Sequence, residues 1–177
     1  PVRRGGEERF VPATVAAPGR ATGFARFHAP GARPADFDRA VLVARTVRPE
    51  DAPWLRHASA MVSTGGGILS HVGLLALELE KPAAIVEGRW SVAPSGAEVL
   101  LVRRPQWREV ESTVAGRRVV CRTELRDAEE VLEQGDLLCL DGESEGLFLL
   151  GHDPQALALH QDLCRLEAAS TALARTG

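Results

Sequence analysis

Three short apolar runs alternate with two helical segments in the first half of the chain. The runs at residues 40–44, 60–62 and 82–86 are continuous rather than alternating, which is typical of strands buried on both faces of a sheet. Between these runs, residues 50–58 have the pattern of a short helix that begins after a proline, and residues 70–80 form a second helix. The order strand, helix, strand, helix, strand predicts parallel strands with helical crossovers, and therefore an α/β fold.

The flanking segments are predicted to be mostly strands. Residues 10–17 alternate weakly, and residues 21–27 can form the second arm of a hairpin across the turn at Pro18-Gly19. Farther along, the pattern predicts strands at 97–102, 119–122, 137–141 and 147–150, a short helix at 127–133, and a hairpin turn at 142–146. Residues 154–175 have a polar helical pattern, so we expect a C-terminal helix that docks on the domain or leads to a neighbouring one.

A glycine-rich loop connects the second buried strand to the second helix. Its three consecutive glycines, Gly65, Gly66 and Gly67, permit unusual backbone conformations and the close approach of another molecule. Ser70 is a good N-cap, because its hydroxyl can accept a hydrogen bond from the first helical turn. His71 is then the first helical residue, beside unpaired backbone N–H groups and the positive end of the helix dipole. Such a position can hold a phosphate, and the imidazole of His71 is a possible nucleophile to carry one.

The loop also lies where ligands bind in parallel sheets. It leaves the carboxyl end of the 60–62 strand, and ligands of such sheets bind beyond the carboxyl ends of the strands. Thr46 begins the loop after the neighbouring strand and is expected on the same rim, while Arg45 and Lys81 are the nearest candidate cations for a phosphate. Because residues 72–77 are nearly all apolar, we expect the second helix to be buried on most of its sides.

Charge and cysteine content exclude several other classes of function. The net charge is −3 and no basic block is present, so nucleic acid is not an expected partner. No apolar run is long enough to span a bilayer and no signal-peptide pattern is present, so we expect no membrane partner and a cytoplasmic location. The three cysteines are an odd number without metal-ligand spacing, which favours buried, reduced thiols and predicts no metal site. The chain begins at Pro1 and its single methionine is Met61, so we interpret it as a piece of a longer protein.

The run of residues 64–86 resembles the phosphohistidine, or swivelling, mobile domain of enzymes that use phosphoenolpyruvate (PEP). Members include pyruvate phosphate dikinase, PEP synthase, enzyme I of the sugar phosphotransferase system and rifampicin phosphotransferase. Their signature is a Gly-Gly pair, two variable residues, Ser, Thr or Cys, the phosphorylated His, a helix of small residues, and Pro-Ala. This chain has Gly66-Gly67-Ile68-Leu69-Ser70-His71 and then Pro82-Ala83. Residues 16–23, 41–55 and 135–146 also resemble the opening strand and turn, the Thr–Pro–Leu passage and the closing hairpin of the family.

The resemblance implies a fold, a role and partners. In this family the domain is a carrier with a three-layer β/β/α fold, and its histidine takes a phosphoryl group at one active site and delivers it at another. By resemblance, His71 is the phosphorylated residue, and the glycine loop and Ser70 cradle the phosphate. No cofactor is expected on this domain, whereas Mg²⁺ and ATP or PEP are expected on partner domains. Those partners are a nucleotide-binding (ATP-grasp-like) domain and an acceptor-substrate domain of the same or a partner chain. The chain is therefore expected to be one domain of a multidomain phosphotransferase, and this domain is expected to be inactive when isolated.

The expected domain organisation has three parts. Residues 1–9 are charged and contain glycine, so they are predicted to be a linker. Residues 10–151 form the phosphohistidine domain, in which residues 89–134 are longer than the usual connection of the family and are interpreted as a β-rich insertion. Residues 152–177 form a C-terminal helix or an interdomain linker.

Three positions depart from the family pattern and keep alternatives open. Gly73 stands where the family usually has Ala, Leu77 where it usually has Arg, and Glu80 where it usually has Gly. The loss of an arginine removes a charge that can assist a phosphate or a docking partner. One alternative is therefore an unphosphorylated relative that acts as a docking or regulatory module, and another is an α/β domain whose loop binds a free phosphorylated ligand.

Overall fold

The computed structural model describes the backbone of residues 9–29, 31–114 and 117–151, and the side chains of these residues except 105–127. The strands are β1 (Arg9–Pro12), β2 (Thr14–Ala17), β3 (Arg20–Phe27), β4 (Val41–Ala44), β5 (Ala60–Ser63), β6 (Ala83–Ile85), β7 (Gly88–Val92), β8 (Glu98–Val114), β9 (Arg117–Glu133), β10 (Leu137–Asp141) and β11 (Gly146–Gly151). The helices are α1 (Ala52–His57) and α2 (His71–Glu78), with 3₁₀ turns at Pro34–Phe37 and Pro49–Asp51. The predicted C-terminal helix and nearly all of the predicted N-terminal linker lie outside the described residues.

Eight strands form one mixed sheet in the order β1-β11-β10-β3-β4-β5-β6-β2. Its centre, β3-β4-β5-β6, is parallel, whereas the remaining neighbours pair antiparallel. The chain passes through α1 between β4 and β5, and through α2 between β5 and β6. The predicted parallel strands with helical crossovers are therefore confirmed, and mixed sheets with few helices fit the predicted α/β class.

The two faces of this sheet have separate apolar cores, because neighbouring residues of a strand point to opposite faces. On β4, Val41 and Val43 belong to one core, and Leu42 and Ala44 belong to the other. The second core also contains buried residues of the two helices: Leu55, Val72 and Ala76. The first core contains buried residues of β8 and β9: Leu100, Val102 and Leu132. The sheet thus has helices packed on one face and β-strands of the inserted segment packed on the other.

The predicted hairpin across Pro18-Gly19 is wrong. The strand β2 pairs with β6, in the register Thr14↔Ile85, at the far edge of the sheet from β1. Both edges of β3 are already paired, with β4 on one side and β10 on the other. A turn signal fixes where the chain reverses but not which strand becomes the neighbour, and burial of Ala16 and Ala17 favours the position beside β6.

The inserted segment forms a second sheet, β7-β8-β9, with antiparallel pairing throughout. The strands β8 and β9 pair from Val99↔Glu133 to Val114↔Arg117, so the predicted strands at 97–102 and 119–122 are parts of much longer ones. The predicted helix at 127–133 is wrong, because these residues lie in β9. Their local preference for helix is overridden by pairing with β8 and by the complete burial of Leu132 in the core.

The closing hairpin β10–β11 is confirmed, and a buried carboxylate organises its turn. Asp141 accepts hydrogen bonds from the Arg20 guanidinium (2.8 Å), the Ser144 hydroxyl (2.9 Å) and the Glu143 amide (3.1 Å). These donors, the Arg20 guanidinium first, hold the pKa of Asp141 below its usual value. Cys139, on β10, is a free and half-buried thiol.

The helix α2 ends in a Schellman motif. The Lys81 amide donates to the Ala76 carbonyl (2.9 Å) and the Glu80 amide donates to the Leu77 carbonyl (3.2 Å). Glu80 adopts a φ of 53°, in the left-handed region that favours glycine. Glu80 therefore adopts a strained backbone conformation at a position where the family usually has glycine, which adopts this conformation without strain.

Candidate functional site

The glycine loop begins with a tight turn at the carboxyl end of β5. The buried Ser63 hydroxyl donates to the Gly65 carbonyl (2.8 Å) and accepts from the Gly65 amide (3.2 Å). A β-carbon at Gly65 would lie 2.8 Å from the Arg45 carbonyl oxygen, so only glycine fits there without movement. The sequence analysis missed Ser63, although a serine placed directly between a buried strand and a glycine run is a signal for such a turn.

Gly66 and Gly67 differ in the space that is available for a side chain. Gly66 has a φ of 102°, and a β-carbon there would lie 2.7 Å from the Ser70 hydroxyl oxygen. A β-carbon at Gly67 would have nothing within 4 Å among the described residues. Thr46 lies beside the loop as predicted, since its γ-methyl is 3.0 Å from the β-carbon position of Gly65.

Ser70 occupies the N-cap position of α2, but the predicted capping hydrogen bond is wrong. Its backbone is extended, as an N-cap requires, yet its hydroxyl makes no bond to the first turn. The Ser70 oxygen is buried and has no hydrogen-bond partner within the described part of the chain. This oxygen lies beside Gly66, 2.7 Å from the position that a β-carbon would take there. A buried, unpaired hydroxyl costs about 1–3 kcal/mol, so this oxygen is suited to a ligand that supplies the missing partner.

His71 is exposed and is the first residue of α2, as predicted. It lines a shallow cavity of about 160 Å³ together with Pro49, Leu74, Leu75 and Glu78. The described residues that line this cavity include no cation, and α2 itself contains neither lysine nor arginine. A negative group on His71 would therefore be near backbone N–H groups of α2 rather than a side-chain cation of this lining.

The expectation that α2 is buried on most sides is wrong. Only Val72, Gly73 and Ala76 are buried, on the face that packs against the sheet. Leu74 and Leu77 are 56% and 52% exposed, and in the loop Ile68 and Leu69 are 53% and 87% exposed. We call these four side chains the apolar rim. Exposed leucines on a short helix beside an exposed histidine are typical of a surface that contacts another protein or domain.

Neither candidate cation is available beside His71. The Arg45 guanidinium lies 4.6 Å above the Trp90 ring and forms an ion pair with Glu98. Lys81 lies beyond the C-terminal end of α2, at Glu78, whereas His71 begins the helix, and seven residues at about 1.5 Å each place the two ends about 10 Å apart.

The base of the loop is also bonded to the inserted sheet. Trp90, on β7, donates its indole N–H to the Thr64 hydroxyl (2.9 Å). Nothing in the local sequence pattern connects Trp90 to Thr64, which lies 26 residues upstream.

The other described histidines are engaged elsewhere. His28 is half-buried with its ring 3.6 Å from the Asp51 carboxylate, and the His57 ring contacts the Asp38 carboxylate at 2.5 Å. Among the described side chains, no group of three or more His, Cys, Asp or Glu is arranged to hold a metal ion. The described helices are too short or too polar to cross a bilayer. His152 and His160 lie outside the described residues.

Comparison with known proteins supports one family. Residues 37–102, which contain the glycine loop, His71 and α2, match the family model described as "PEP-utilising enzyme, mobile domain". This match confirms the resemblance predicted from the sequence. No curated protein matches the chain. Among solved structures, the solution NMR structure of a UPF0107 protein aligns with a TM-score of 0.44 and 12% identity, covering 80% of this chain and 98% of its own.

The packing of α2 against the loop makes Gly73 a sensitive position. A β-carbon at Gly73 would lie 2.1 Å from the Ile68 carbonyl oxygen, so the alanine usual in the family does not fit here without displacing the loop. We expect Gly73→Ala to lower the free energy of unfolding by about 1–3 kcal/mol, as other overpacked substitutions do. Gly67→Ala is the matched control and should change it by less than about 0.5 kcal/mol. Chemical denaturation of both variants tests this, and equal stability of the two would contradict the packing.

Proposed function

We propose that the chain is the phosphocarrier domain of a PEP-utilising phosphotransferase, in which His71 accepts a phosphoryl group at one active site and delivers it at another. The observation that carries the proposal is an exposed histidine at the first position of α2, directly after the glycine loop, inside the segment that matches the mobile domain. The packing of helices on one face of the sheet and β-strands on the other supports the three-layer β/β/α arrangement of a swivelling domain.

The proposed chemistry is two successive phosphoryl transfers. An unprotonated imidazole nitrogen of His71 attacks the phosphorus of the donor, and the P–O bond to the leaving group breaks with its electron pair retained by the leaving oxygen. The acceptor oxygen then attacks the same phosphorus, and the P–N bond breaks with its pair returned to the imidazole. Such transfers depend mainly on positioning and on stabilisation of negative charge, because the protein has little covalent chemistry to do.

The loop offers several groups to a phosphoryl oxygen. The unpaired N–H groups at the start of α2 favour an anion, and the buried Ser70 hydroxyl lacks a partner in the described structure. The open space beside Gly67 leaves room for a ligand, and Thr46 lies at the edge of the same loop. We therefore assign Gly65, Gly66, Gly67 and Ser70, with Thr46 at the margin, to phosphate binding.

We expect the partner domains to supply the cations. A phosphohistidine carries negative charge, and neither α2 nor the described lining of the His71 cavity offers a lysine or arginine. The apolar rim around this charge predicts a partner surface of complementary character: apolar at its edge and cationic at its centre. The expected partners are a nucleotide-binding, ATP-grasp-like domain and an acceptor-substrate domain, which would dock on this face in turn and between them hold Mg²⁺ and ATP or PEP. This makes the chain one domain of a multidomain enzyme.

Phosphorylation of His71 can be tested with potassium phosphoramidate, a small donor that needs no partner domain. We expect acid-labile phosphate on His71 of the full chain, formed at least about tenfold faster than on His57, because His71 begins α2, beside its free N–H groups, whereas His57 ends α1. Site-resolved mass spectrometry at neutral pH measures both rates, and His71→Ala and His57→Ala are the paired controls. Label that persists unchanged in His71→Ala would contradict the assignment and favour an unphosphorylated docking module.

The role of the apolar rim requires a second comparison. In the intact enzyme supplied with ATP or PEP and Mg²⁺, Leu69→Asn should slow phosphorylation of His71 by about tenfold or more. The reason is that Leu69, the most exposed residue of the apolar rim, would lose its apolar contact with the partner domain. The same variant should react with phosphoramidate at the wild-type rate, because a small donor does not dock. Val92→Asn is the control, as Val92 is 68% exposed but lies on β7, outside the rim. Equal slowing by both variants, or by neither, would exclude the rim as the docking surface.

A further inference from the structure

One polar contact links the inserted sheet to the phosphate loop. The Trp90 indole N–H, on β7, donates to the Thr64 hydroxyl oxygen at 2.9 Å. Thr64 directly precedes Gly65, and its hydroxyl is also a donor to the Arg45 carbonyl at 3.4 Å. The Thr64 hydroxyl therefore donates its single proton to the Arg45 carbonyl and accepts the Trp90 indole N–H, so the side chain is held by two partners.

The Trp90 ring is itself held on two sides. The Phe27 ring of β3 meets it edge-on, with ring centroids 5.0 Å apart and planes at 79°. The Arg45 guanidinium lies 4.6 Å from the ring centroid, and its ion pair with Glu98 of β8 holds that guanidinium toward the inserted sheet. The indole therefore has little freedom to leave the Thr64 hydroxyl.

The Arg45 carbonyl transmits this restraint to the glycine loop. It accepts from the Thr64 hydroxyl (3.4 Å), lies 3.3 Å from the Ser63 hydroxyl oxygen, and is 2.8 Å from the β-carbon position of Gly65. A shift of the Arg45 backbone or of the Thr64 side chain thus moves Gly65, which begins the proposed phosphate-binding loop.

We propose that Trp90 and Thr64 are positioning residues for the phosphate loop, and that the inserted sheet sets the geometry of the loop through them. The proposal rests on the proposed function, because the loop needs this geometry to receive a phosphoryl group. Neither side chain touches the phosphoryl group itself. Their effect is to hold Gly65, and with it the start of the loop that leads to His71, in one conformation.

The test compares Thr64→Val, which keeps the shape but removes the hydroxyl, with Thr64→Ser, which restores it. We expect Thr64→Val to slow phosphorylation of His71 in the full chain by phosphoramidate about fivefold, the effect of one lost hydrogen bond on a rate. Thr64→Ser should stay within about twofold of wild type. Trp90→Phe, which keeps an aromatic ring but removes the indole N–H, should resemble Thr64→Val. Equal rates for Thr64→Val and wild type would overturn the proposal.

A spectroscopic readout separates positioning from general stability. The indole N–H resonance of Trp90 in a ¹H–¹⁵N spectrum should shift when His71 of the wild-type chain is phosphorylated, whereas that of Trp54, whose indole donates to the Ala32 carbonyl, should not. If wild-type His71 accepts no phosphate, the proposed function fails. The positioning claim then still depends on the amide resonances of Gly65 and Gly66, which should differ from wild type in Thr64→Val and not in Thr64→Ser. Unchanged glycine amides in Thr64→Val would overturn it.

Discussion

The glycine loop and the start of α2 are packed so closely that three of their glycines have no room for a β-carbon. The nearest atoms to such a carbon are the Arg45 carbonyl oxygen at Gly65, the Ser70 hydroxyl at Gly66 and the Ile68 carbonyl oxygen at Gly73. This close packing lets the loop fold back over the start of α2 while β5 and α2 remain anchored in the core. Its consequence is an exposed His71 whose next residue, Val72, is buried in the core.

The surroundings of the three residues that depart from the family pattern show what each departure changes. Gly73 is required because the Ile68 carbonyl occupies the space of a methyl group. Glu80 accepts a left-handed conformation that glycine adopts without strain. Leu77, where the family usually has arginine, is half-exposed and joins Ile68, Leu69 and Leu74 in the apolar rim. Among the described residues, the surface around His71 is thus apolar rather than cationic.

The sequence predicts the parallel strands, both helices and the position of His71, because these depend on local signals. Continuous burial marks β4 and β5, and the Gly-Gly-x-x-Ser-His order marks the start of α2. The failures come from tertiary partners that local patterns do not specify. The turn at Pro18-Gly19 does not reveal that β2 pairs with β6, and helix-favouring residues at 127–133 become a strand because β8 lies beside them. The link from Trp90 to Thr64 is likewise invisible without the fold.

The central claim is that a phosphoryl group on His71 is held by the amides of the glycine loop and of the first turn of α2. The most direct measurement is the ¹H–¹⁵N spectrum of the uniformly labelled full chain before and after phosphorylation of His71. We expect the largest amide shifts at Gly66, Gly67 and Val72, with hydrogen exchange at these amides slowed. Shifts confined to His71 itself, with the loop amides unchanged, would contradict it.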